Sequence, residues 1–433
     1  MTETTTEKAR IGAPSAQPFI NGFTEEGENL SPINADGTVA APSSGPLAGS
    51  SAKGHSHGGG VGVPDSSRAG RLTSYTLEDF KALTGLEEDW RFTPLRRLRG
   101  LHTEALTGAA PAVSVTAPDG VTVETVGRDD KRVGSAGIPE DRVSANAWAN
   151  FKEATVITVP AETTLENEVT VVLAGQGSEA SAQHVVIVAE KFSKAMVVLG
   201  HEGTAVVSEN VEIVLEDGAE LTVVSLQEWN DDSVHASSQQ AKIGRDAKFK
   251  HIVVSLGGNV VRVTPTARFA APGGEVELFG LYYADAGQHL EHRTFVDHSQ
   301  PNCKSNVLYK GALQGRDAHT VWVGDVLIQK QAEGTDSYEK NQNLVLTDGC
   351  RADSVPNLEI ETGLIEGAGH ASATGRFDDE HLFYLMARGI PEDIARRLVV
   401  RGFLNEIIQK IKVPALEERL TDAVERELSA VEN

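Results

Sequence analysis

The chain has little of several features that would point directly to a function. Two cysteines in 433 residues are too few for a disulfide framework, so we expect Cys303 and Cys350 to be reduced thiols of a cytoplasmic protein. Basic residues number 39 against 62 acidic ones, a formal charge of −23, which argues against binding to nucleic acid or to an anionic membrane surface. No apolar run approaches the roughly 18 residues of a spanning helix. The polar N-terminus lacks the apolar segment of a secretory signal.

Motifs for nucleotide binding are also missing. The sequence contains no G-x-x-x-x-G-K-[ST] and no G-x-G-x-x-G. We therefore expect that this chain binds no nucleotide and hydrolyses no ATP by itself. Aromatic residues are scarce at 5%, whereas hydrophobic residues make up 40%, so the predicted core consists mainly of Val, Leu, Ile and Ala.

Composition divides the chain into four predicted regions. Residues 1–71 are rich in Gly, Ser and Pro and cannot bury enough apolar surface to order themselves, which predicts a disordered tail. Residues 72–110 form a predicted N-terminal helical region, in which Thr76 caps a short helix. Residues 111–377 carry many short runs of Val, Ile, Leu and Thr, and residues 378–433 are helical in pattern.

The strand-rich region 111–377 predicts a mainly β fold with no helix interrupting it, which excludes alternating βαβ units. Either a large sandwich or a parallel β-helix fits. A repeated corner favours the β-helix, because an apolar residue, then polar turn formers, then a small residue recur at intervals of 28, 70 and 33 residues. The four corners are Leu215-Glu-Asp-Gly-Ala, Ile243-Gly-Arg-Asp-Ala, Leu313-Gln-Gly-Arg-Asp-Ala and Leu346-Thr-Asp-Gly-Cys.

The C-terminal region predicts three helices. Gly389 ends the first, Pro391 opens the second and Pro414 opens the third, since glycine terminates helices and proline suits their first turn. Apolar residues recur every three or four positions along the second helix and give it one broad stripe. The stripe contains Ile394, Leu398, Phe403, Leu404, Ile407 and Ile408.

The densest group of potential metal ligands lies between His289 and Cys303. In a strand, His289 and Glu291 would share one face and His292 would lie on the other, so these side chains cannot all meet at one ion. Some of them could bind iron or zinc. A polar ladder on the outside of a sheet explains the same residues and is the better interpretation from the sequence.

Two further residues each have two interpretations. Cys350 occupies the small-residue position of the repeated corner, so it is either a corner residue or an accessible thiol. His370 has only small neighbours from Gly367 to Gly375, which leaves its imidazole free for a ligand or another subunit. The same setting suits a histidine that bonds only to backbone.

The C-terminal third resembles a known family, the SufB/SufD scaffold subunits of the SUF system for iron-sulfur cluster assembly. The resemblance covers most of residues 75–412 and is closer to SufD than to SufB. Three segments carry it: Val355-Pro-Asn-Leu-Glu-Ile-Glu-Thr-Gly, Gly369-His-Ala-Ser-Ala-Thr-Gly-Arg-Phe-Asp-Asp-Glu and Leu382-Phe-Tyr-Leu-Met-Ala-Arg-Gly-Ile-Pro-Glu.

This resemblance implies a right-handed parallel β-helix between a short N-terminal helical region and a C-terminal helical domain. It implies a non-catalytic scaffold that pairs with SufB, docks the ATPase SufC on its C-terminal helices and meets sulfur donor proteins only indirectly. In the family a transient iron-sulfur cluster forms at the SufB–SufD interface, where His370 matches the SufD histidine. Cys350 lies where SufB has its interface cysteine. Part of the apolar stripe would then bind SufC.

Two other functional classes fit a β-helix. One is a carbohydrate-active enzyme, which requires aromatic platforms and paired carboxylates. The low aromatic content and the acidic net charge of the chain disfavour this class. The other is a stand-alone metal-binding protein that uses the segment from His289 to Cys303.

Overall fold

The computed structural model describes residues 70–103, 105–377 and 379–429, so the tail predicted for 1–71 lies almost wholly outside the described residues. The helices are α1 (Arg142–Asn150), α2 (Asp379–Met386), α3 (Glu392–Ile408) and α4 (Pro414–Ser429). The strands are β1 (Ala112–Thr116), β2 (Thr122–Val126), β3 (Ala154–Val159), β4 (Val169–Ala174), β5 (Gly177–Ala189), β6 (Lys194–Gly203), β7 (Ala205–Leu215), β8 (Glu220–Trp229), β9 (Val234–Ile243), β10 (Lys248–Ser255), β11 (Val260–Phe269), β12 (Glu275–Ala284), β13 (His289–His298), β14 (Lys304–Leu313), β15 (His319–Ile328), β16 (Asp336–Val345), β17 (Arg351–Ile360) and β18 (Gly367–Arg376).

The strands form a parallel β-solenoid, which confirms the predicted fold class. They divide into two sheets, β1-β4-β6-β8-β10-β12-β14-β16-β18 and β2-β3-β5-β7-β9-β11-β13-β15-β17, here called the even sheet and the odd sheet. Consecutive strands from β3 onward alternate between the sheets, so each coil adds one parallel strand to each. In the even sheet, Lys248 pairs with Glu220 of the preceding coil and with Glu275 of the following one. Among the described strands, the only antiparallel pairs are β1 with β4 and β2 with β3, at the N-terminal end of the stack.

The space between the two sheets is filled mostly by aliphatic side chains. Val197 and Leu199 of the even sheet and Val207 and Val211 of the odd sheet are at most 1% exposed. Fully burying a side chain of this kind stabilises the fold by about 1.5 to 3 kcal/mol. Repeating such residues coil after coil supplies a continuous core with few aromatic rings.

The repeated corners lie where the sequence predicts them. The residue before the small position has a left-handed backbone in all four, at Gly218, Asp246, Asp317 and Gly349. Glycine and aspartate adopt this conformation more readily than most residues, which explains the recurring Asp and Gly. The small residues that follow, Ala219, Ala247, Ala318 and Cys350, pack against the solenoid core.

The N-terminal region differs from its prediction. The described part of 72–110 contains 3-10 turns at Leu77–Asp79 and Leu95–Leu98 and no α-helix, and the Thr76 side chain makes no capping bond. The prediction that no helix interrupts the β region was wrong, because α1 lies between β2 and β3. The side chains of Asp141 and Ser144 close a reciprocal capping box at its start. Together with Trp90 and Leu98, α1 covers the outer face of the odd sheet.

The C-terminal helices α3 and α4 cover the outer face of the even sheet. Leu404 and Ile407 of α3 are fully buried in a cluster that includes Phe279 and Leu281 of β12. The predicted boundaries are confirmed: Gly389 has a φ of 84° after α2, Pro391 immediately precedes α3 and α4 begins with a proline. No helix in the described ranges is long and apolar enough to cross a membrane.

Candidate functional site

The C-terminal end of the solenoid is its open end. β17 and β18 are the last strands of the odd and even sheets, and each runs for 10 residues with one edge unpaired in the described chain. Their side chains are half-buried or exposed throughout, including core-facing residues such as Leu358 and Ala368. An unpaired strand edge beside half-covered core residues is a surface suited to another chain.

His370 lies on β18 at this open end. In the sheet register it is level with Glu339 of β16, and its Nδ1 lies 3.7 Å from Glu339 Oε1. The imidazole is 44% exposed, whereas the Glu339 carboxylate is fully buried. The small residues around His370 leave its ring uncovered. Solvent, or a ligand from outside, therefore meets the histidine first and the carboxylate behind it.

Glu339 is an unusual carboxylate, because neither of its oxygens accepts a hydrogen bond from a side chain among the described residues. Burial, together with the nearby Asp325 carboxylate, raises its pKa to about 8, although the backbone N–H of Asn357 acts in the opposite direction. Gly324 on the facing sheet makes room for it, since a Cβ there would lie 2.4 Å from Glu339 Oε2. A buried carboxyl with so few donors has an energetic reason to take up a proton or a cation.

A cavity of about 440 Å³ borders His370. Its lining includes Phe92 of the N-terminal segment and Arg293, Asp325 and Asn357 of the odd sheet. The Arg293 guanidinium is held 2.8 Å from the Asp89 carboxylate, and the Asn357 amide donates to Asp325 Oδ1 at 2.9 Å. The cavity is thus polar and of a size that accepts a small ligand.

Cys350 lies at the same end of the solenoid but is not near His370. His370 is level with Glu339 in the sheet register. Val345, at the end of β16, is six residues further along the strand, or about 20 Å at about 3.3 Å per residue. Cys350 lies beyond Val345, in the corner that follows. Its thiol contacts the carbonyl oxygen of Gly315 at 3.2 Å and is partly exposed. Within one chain, Cys350 therefore occupies the corner position, and the two predicted ligands do not meet.

The segment from His289 to Cys303 is divided between two faces, as its strand pattern predicts. His292 and His298 point into the solenoid, where they bond to Ser255 and Ser305, and Cys303 is buried in the core. His289 and Glu291 point outward but are buried rather than exposed to solvent, and Thr93 of the N-terminal region bonds to Glu291. These residues therefore do not assemble around one ion.

The outward carboxylate of this segment is already neutralised. Glu291 bonds to the Arg262 guanidinium and accepts from Thr93 Oγ1 at 2.6 Å, while the Arg262 guanidinium stacks 4.0 Å over the ring of Trp90. The nearby Arg262 holds the pKa of Glu291 far below its usual range, although burial acts in the opposite direction. Thr93 and Trp90 contact the two partners of this ion pair, so the pair holds the N-terminal region against the odd sheet.

The apolar stripe of α3 is divided between buried and exposed positions. Leu404, Ile407 and Ile408 are at most 2% exposed against the even sheet and α4, and Phe403 packs under the Lys310 ammonium at 4.6 Å. Two residues toward the start of the helix remain 41 to 42% exposed, Ile394 and Leu398. The neighbouring α2 exposes further large apolar side chains, namely Phe383, Tyr384 and Met386.

Sequence reasoning missed Glu339 and Asp325. Glu339 lies in the polar run Ser337-Tyr-Glu-Lys-Asn-Gln-Asn343, where no hydrophobic alternation marks the inner face. Glu339 lies on the same face of β16 as Ser337, Asn341 and Asn343, all of which are buried. Only the structure shows that this face points into the solenoid. The only signal in the sequence was an acidic residue spaced regularly from other polar ones.

Comparison with known proteins gives a consistent result. Residues 142–403 match the family described as "SUF system FeS cluster assembly, SufBD core domain". The chain is 55% identical over 371 residues to an iron-sulfur cluster assembly SufBD family protein of Mycobacterium tuberculosis, covering 84% of this chain and 93% of the relative. A SufBD family protein of Mycobacterium leprae is 54% identical over 373 residues, covering 84% and 95%. Another one from Mycobacterium leprae is 27% identical over 201 residues, 46% of this chain and 23% of that relative.

Proposed function

Because this chain belongs to the SufBD family of iron-sulfur cluster assembly proteins, we propose that it is the SufD-like, non-catalytic scaffold subunit of a cytoplasmic assembly complex. In this proposal it pairs with a SufB-like subunit through the open end of its solenoid and docks the ATPase SufC on its C-terminal helices. A transient cluster forms at the paired end with His370 as a ligand. The observation that carries the proposal is the half-exposed His370 in front of the fully buried Glu339 carboxylate at the uncovered end.

The open end supports pairing with a related solenoid. Its two unpaired strand edges offer backbone donors and acceptors, and the half-covered core residues offer apolar surface to a partner of the same cross-section. Two SufBD family proteins of Mycobacterium leprae match this chain at 54% and 27% identity. One organism therefore encodes two different members, as a complex of two related subunits requires.

The ligand chemistry supports a cluster that is held briefly and then released. Imidazole suits borderline iron, and the Glu339 carboxylate behind it offers oxygen to an incoming Fe ion or takes up a proton when the ion leaves. One histidine and one carboxylate do not complete the coordination of a cluster, so further ligands come from the partner. We retain Cys350 as a candidate thiol ligand toward a different part of the interface.

The C-terminal helices support ATPase docking. The exposed apolar group on α2 and α3 consists of Phe383, Tyr384, Met386, Ile394 and Leu398. The opposite side of α3 is fixed to the solenoid, where Lys310 of β14 pairs with Glu406 at 2.5 Å and donates to the Phe403 carbonyl at 3.2 Å. In the proposal, nucleotide-driven movement of SufC pulls on α3 and is transmitted to the even sheet.

The test uses the co-purified complex with His370→Ala. Cluster loading from ferrous iron and a persulfide donor under anaerobic conditions, followed by visible absorbance, should fall about tenfold or more, since a ligand is lost. Ser372→Ala is the matched control, because Ser372 lies two residues further along β18 on the same face. Equal loading by both variants would remove His370 from the site. Failure to co-purify SufB and SufC with the wild type would overturn the scaffold assignment.

A further inference from the structure

The interior of the solenoid holds a second cluster of potential metal ligands, far from the open end in coil order. His201 of β6, Glu209 of β7 and His235 of β9 place their ligand atoms within 4.8 Å of one another, and all three side chains are at most 1% exposed. The nearest neighbours of the cluster are buried polar side chains and Trp229. We propose that these three residues bind one divalent first-row cation, Zn²⁺ or Fe²⁺, inside the solenoid. This site is independent of the function proposed for His370.

The distances between the ligand atoms match a metal site. His201 Nε2 lies 3.2 Å from Glu209 Oε1, and His235 Nε2 lies 3.2 Å from Glu209 Oε2. A tetrahedral ion with bonds of about 2.0 to 2.1 Å separates neighbouring ligand atoms by about 3.3 Å. Two imidazoles and one carboxylate are a recurrent ligand set for zinc and for ferrous iron.

The hydrogen bonds around the cluster fix which ring nitrogens carry protons. His201 Nδ1 lies 2.9 Å from the carbonyl oxygen of Leu226, which can only accept. His235 Nδ1 lies 2.7 Å from Gln227 Oε1, and Trp229 Nε1, which can only donate, also points at that oxygen at 3.2 Å. Both Nδ1 atoms therefore donate, and each neutral ring directs its Nε2 lone pair at Glu209.

This arrangement favours a cation. The lone pairs of two neutral imidazoles that face a carboxylate repel it, and a proton on one Nε2 would still leave the lone pair of the other ring facing Glu209. No Lys or Arg neutralises Glu209 among the described contacts, in contrast to Glu291 with its Arg262. A divalent ion between the three atoms converts the repulsion into coordination.

The supporting residues resemble the second layer of a metal site. Ser237 Oγ donates to Glu209 Oε2 at 2.7 Å and accepts from the Gln239 amide at 3.0 Å, so its proton is directed at the carboxylate. Together with the Nδ1 bonds, these contacts orient every ligand. The ion would join the even sheet, through His201, to the odd sheet, through Glu209 and His235, and so tie consecutive coils together.

The test measures metal in the full chain purified from medium supplemented with either zinc or, anaerobically, ferrous iron. We expect about one equivalent of one of these metals per chain, with X-ray absorption showing nitrogen and oxygen neighbours at about 2.0 Å and no sulfur. Glu209→Gln and His235→Gln should each lose at least about fivefold of the metal. His298→Gln is the matched control, because His298 is an equally buried interior histidine bonded to Ser305.

The variant His370→Ala distinguishes the interior site from the one proposed at the open end, because it should retain the interior metal. Less than a tenth of an equivalent in the wild type from both media would overturn the proposal, as would metal with sulfur neighbours. Full metal content in Glu209→Gln would do the same. If Glu209→Gln does not fold, stoichiometry and X-ray absorption of the wild type still decide, and a wild type freed of metal should show an unfolding midpoint lower by about 5 °C.

Discussion

Replacing Glu339 by Gln tests whether burial at the C-terminal end of the solenoid disfavours the ionised form of this carboxyl group. The pKa of Glu339 is raised from 4.5 to about 8, chiefly by burial. At about 1.36 kcal/mol per pKa unit this gap amounts to roughly 5 kcal/mol. Because the neighbouring His370 is 44% exposed and solvent next to the site screens the penalty, we expect about half of that, 2 to 3 kcal/mol, to be measurable.

The sign follows from proton binding. Between the unfolded pKa near 4.5 and the folded pKa near 8, the folded state holds a proton that the unfolded state has lost, so rising pH destabilises the fold. The contribution of the protonated carboxyl is fully present below about pH 4.5 and is lost by about pH 8. Gln at this position has no such dependence. The variant should therefore gain 2 to 3 kcal/mol relative to the wild type between pH 5 and pH 8.5.

The assay is urea unfolding of the metal-free full chain in the presence of a chelator, at pH 5, 7 and 8.5, for wild type and Glu339→Gln. Glu366→Gln, at an exposed carboxylate in the turn before β18, is the control and should follow the wild type at every pH. A difference between wild type and Glu339→Gln that stays constant within about 0.5 kcal/mol over this range would refute the reasoning.

Three further substitutions test other contacts. Glu291→Gln leaves the Arg262 guanidinium buried without its carboxylate and should lower the free energy of unfolding by about 3 to 5 kcal/mol in urea; an unchanged midpoint would count against a stabilising role of this ion pair. Leu404→Ala removes a fully buried side chain between α3 and the sheet and should cost about 2 to 5 kcal/mol, whereas Leu398→Ala should cost less than about 0.5 kcal/mol and weaken only ATPase capture in a pull-down. Gly324→Ala would put a methyl group 2.3 Å from a buried tryptophan ring and should lower the melting temperature, with destabilisation of about 1 to 3 kcal/mol.

The sequence was informative where the solenoid repeats itself. Each corner needs a left-handed residue followed by a small one, so positions such as Gly218 and Asp317 recur as a readable template. The C-terminal helices were predictable for a similar local reason, since Gly389 and Pro391 act on the backbone at fixed places. These signals depend on neighbouring residues only.

The missed features depend on residues distant in the chain. Strand β9, Val234-His-Ala-Ser-Ser-Gln-Gln, is polar on both faces and yet buried on both, because α1 covers its outer side. Asn210 of the adjacent strand, for example, donates to the Ser144 carbonyl of α1 at 2.9 Å. No local pattern separates such a strand from an exposed one, so His235, like Glu339, could be assigned to the interior only from the structure. Helix α1 was a different case, because its capping box was present in the sequence.

The antiparallel strands at the N-terminal end of the solenoid bear on how far the proposed end-to-end pairing can extend. β1 and β2 are 5 residues long, half the length of β17 and β18, and Val113, Val115 and Val121 of this end lie over the core. In the proposed complex, pairing uses the long edge strands β17 and β18, whereas the edges of β1 and β2 are half as long. Solenoids that pair at both ends would polymerise into fibres, whereas solenoids that pair at one end stop at a dimer. The short antiparallel strands are therefore expected to limit the proposed assembly to pairs.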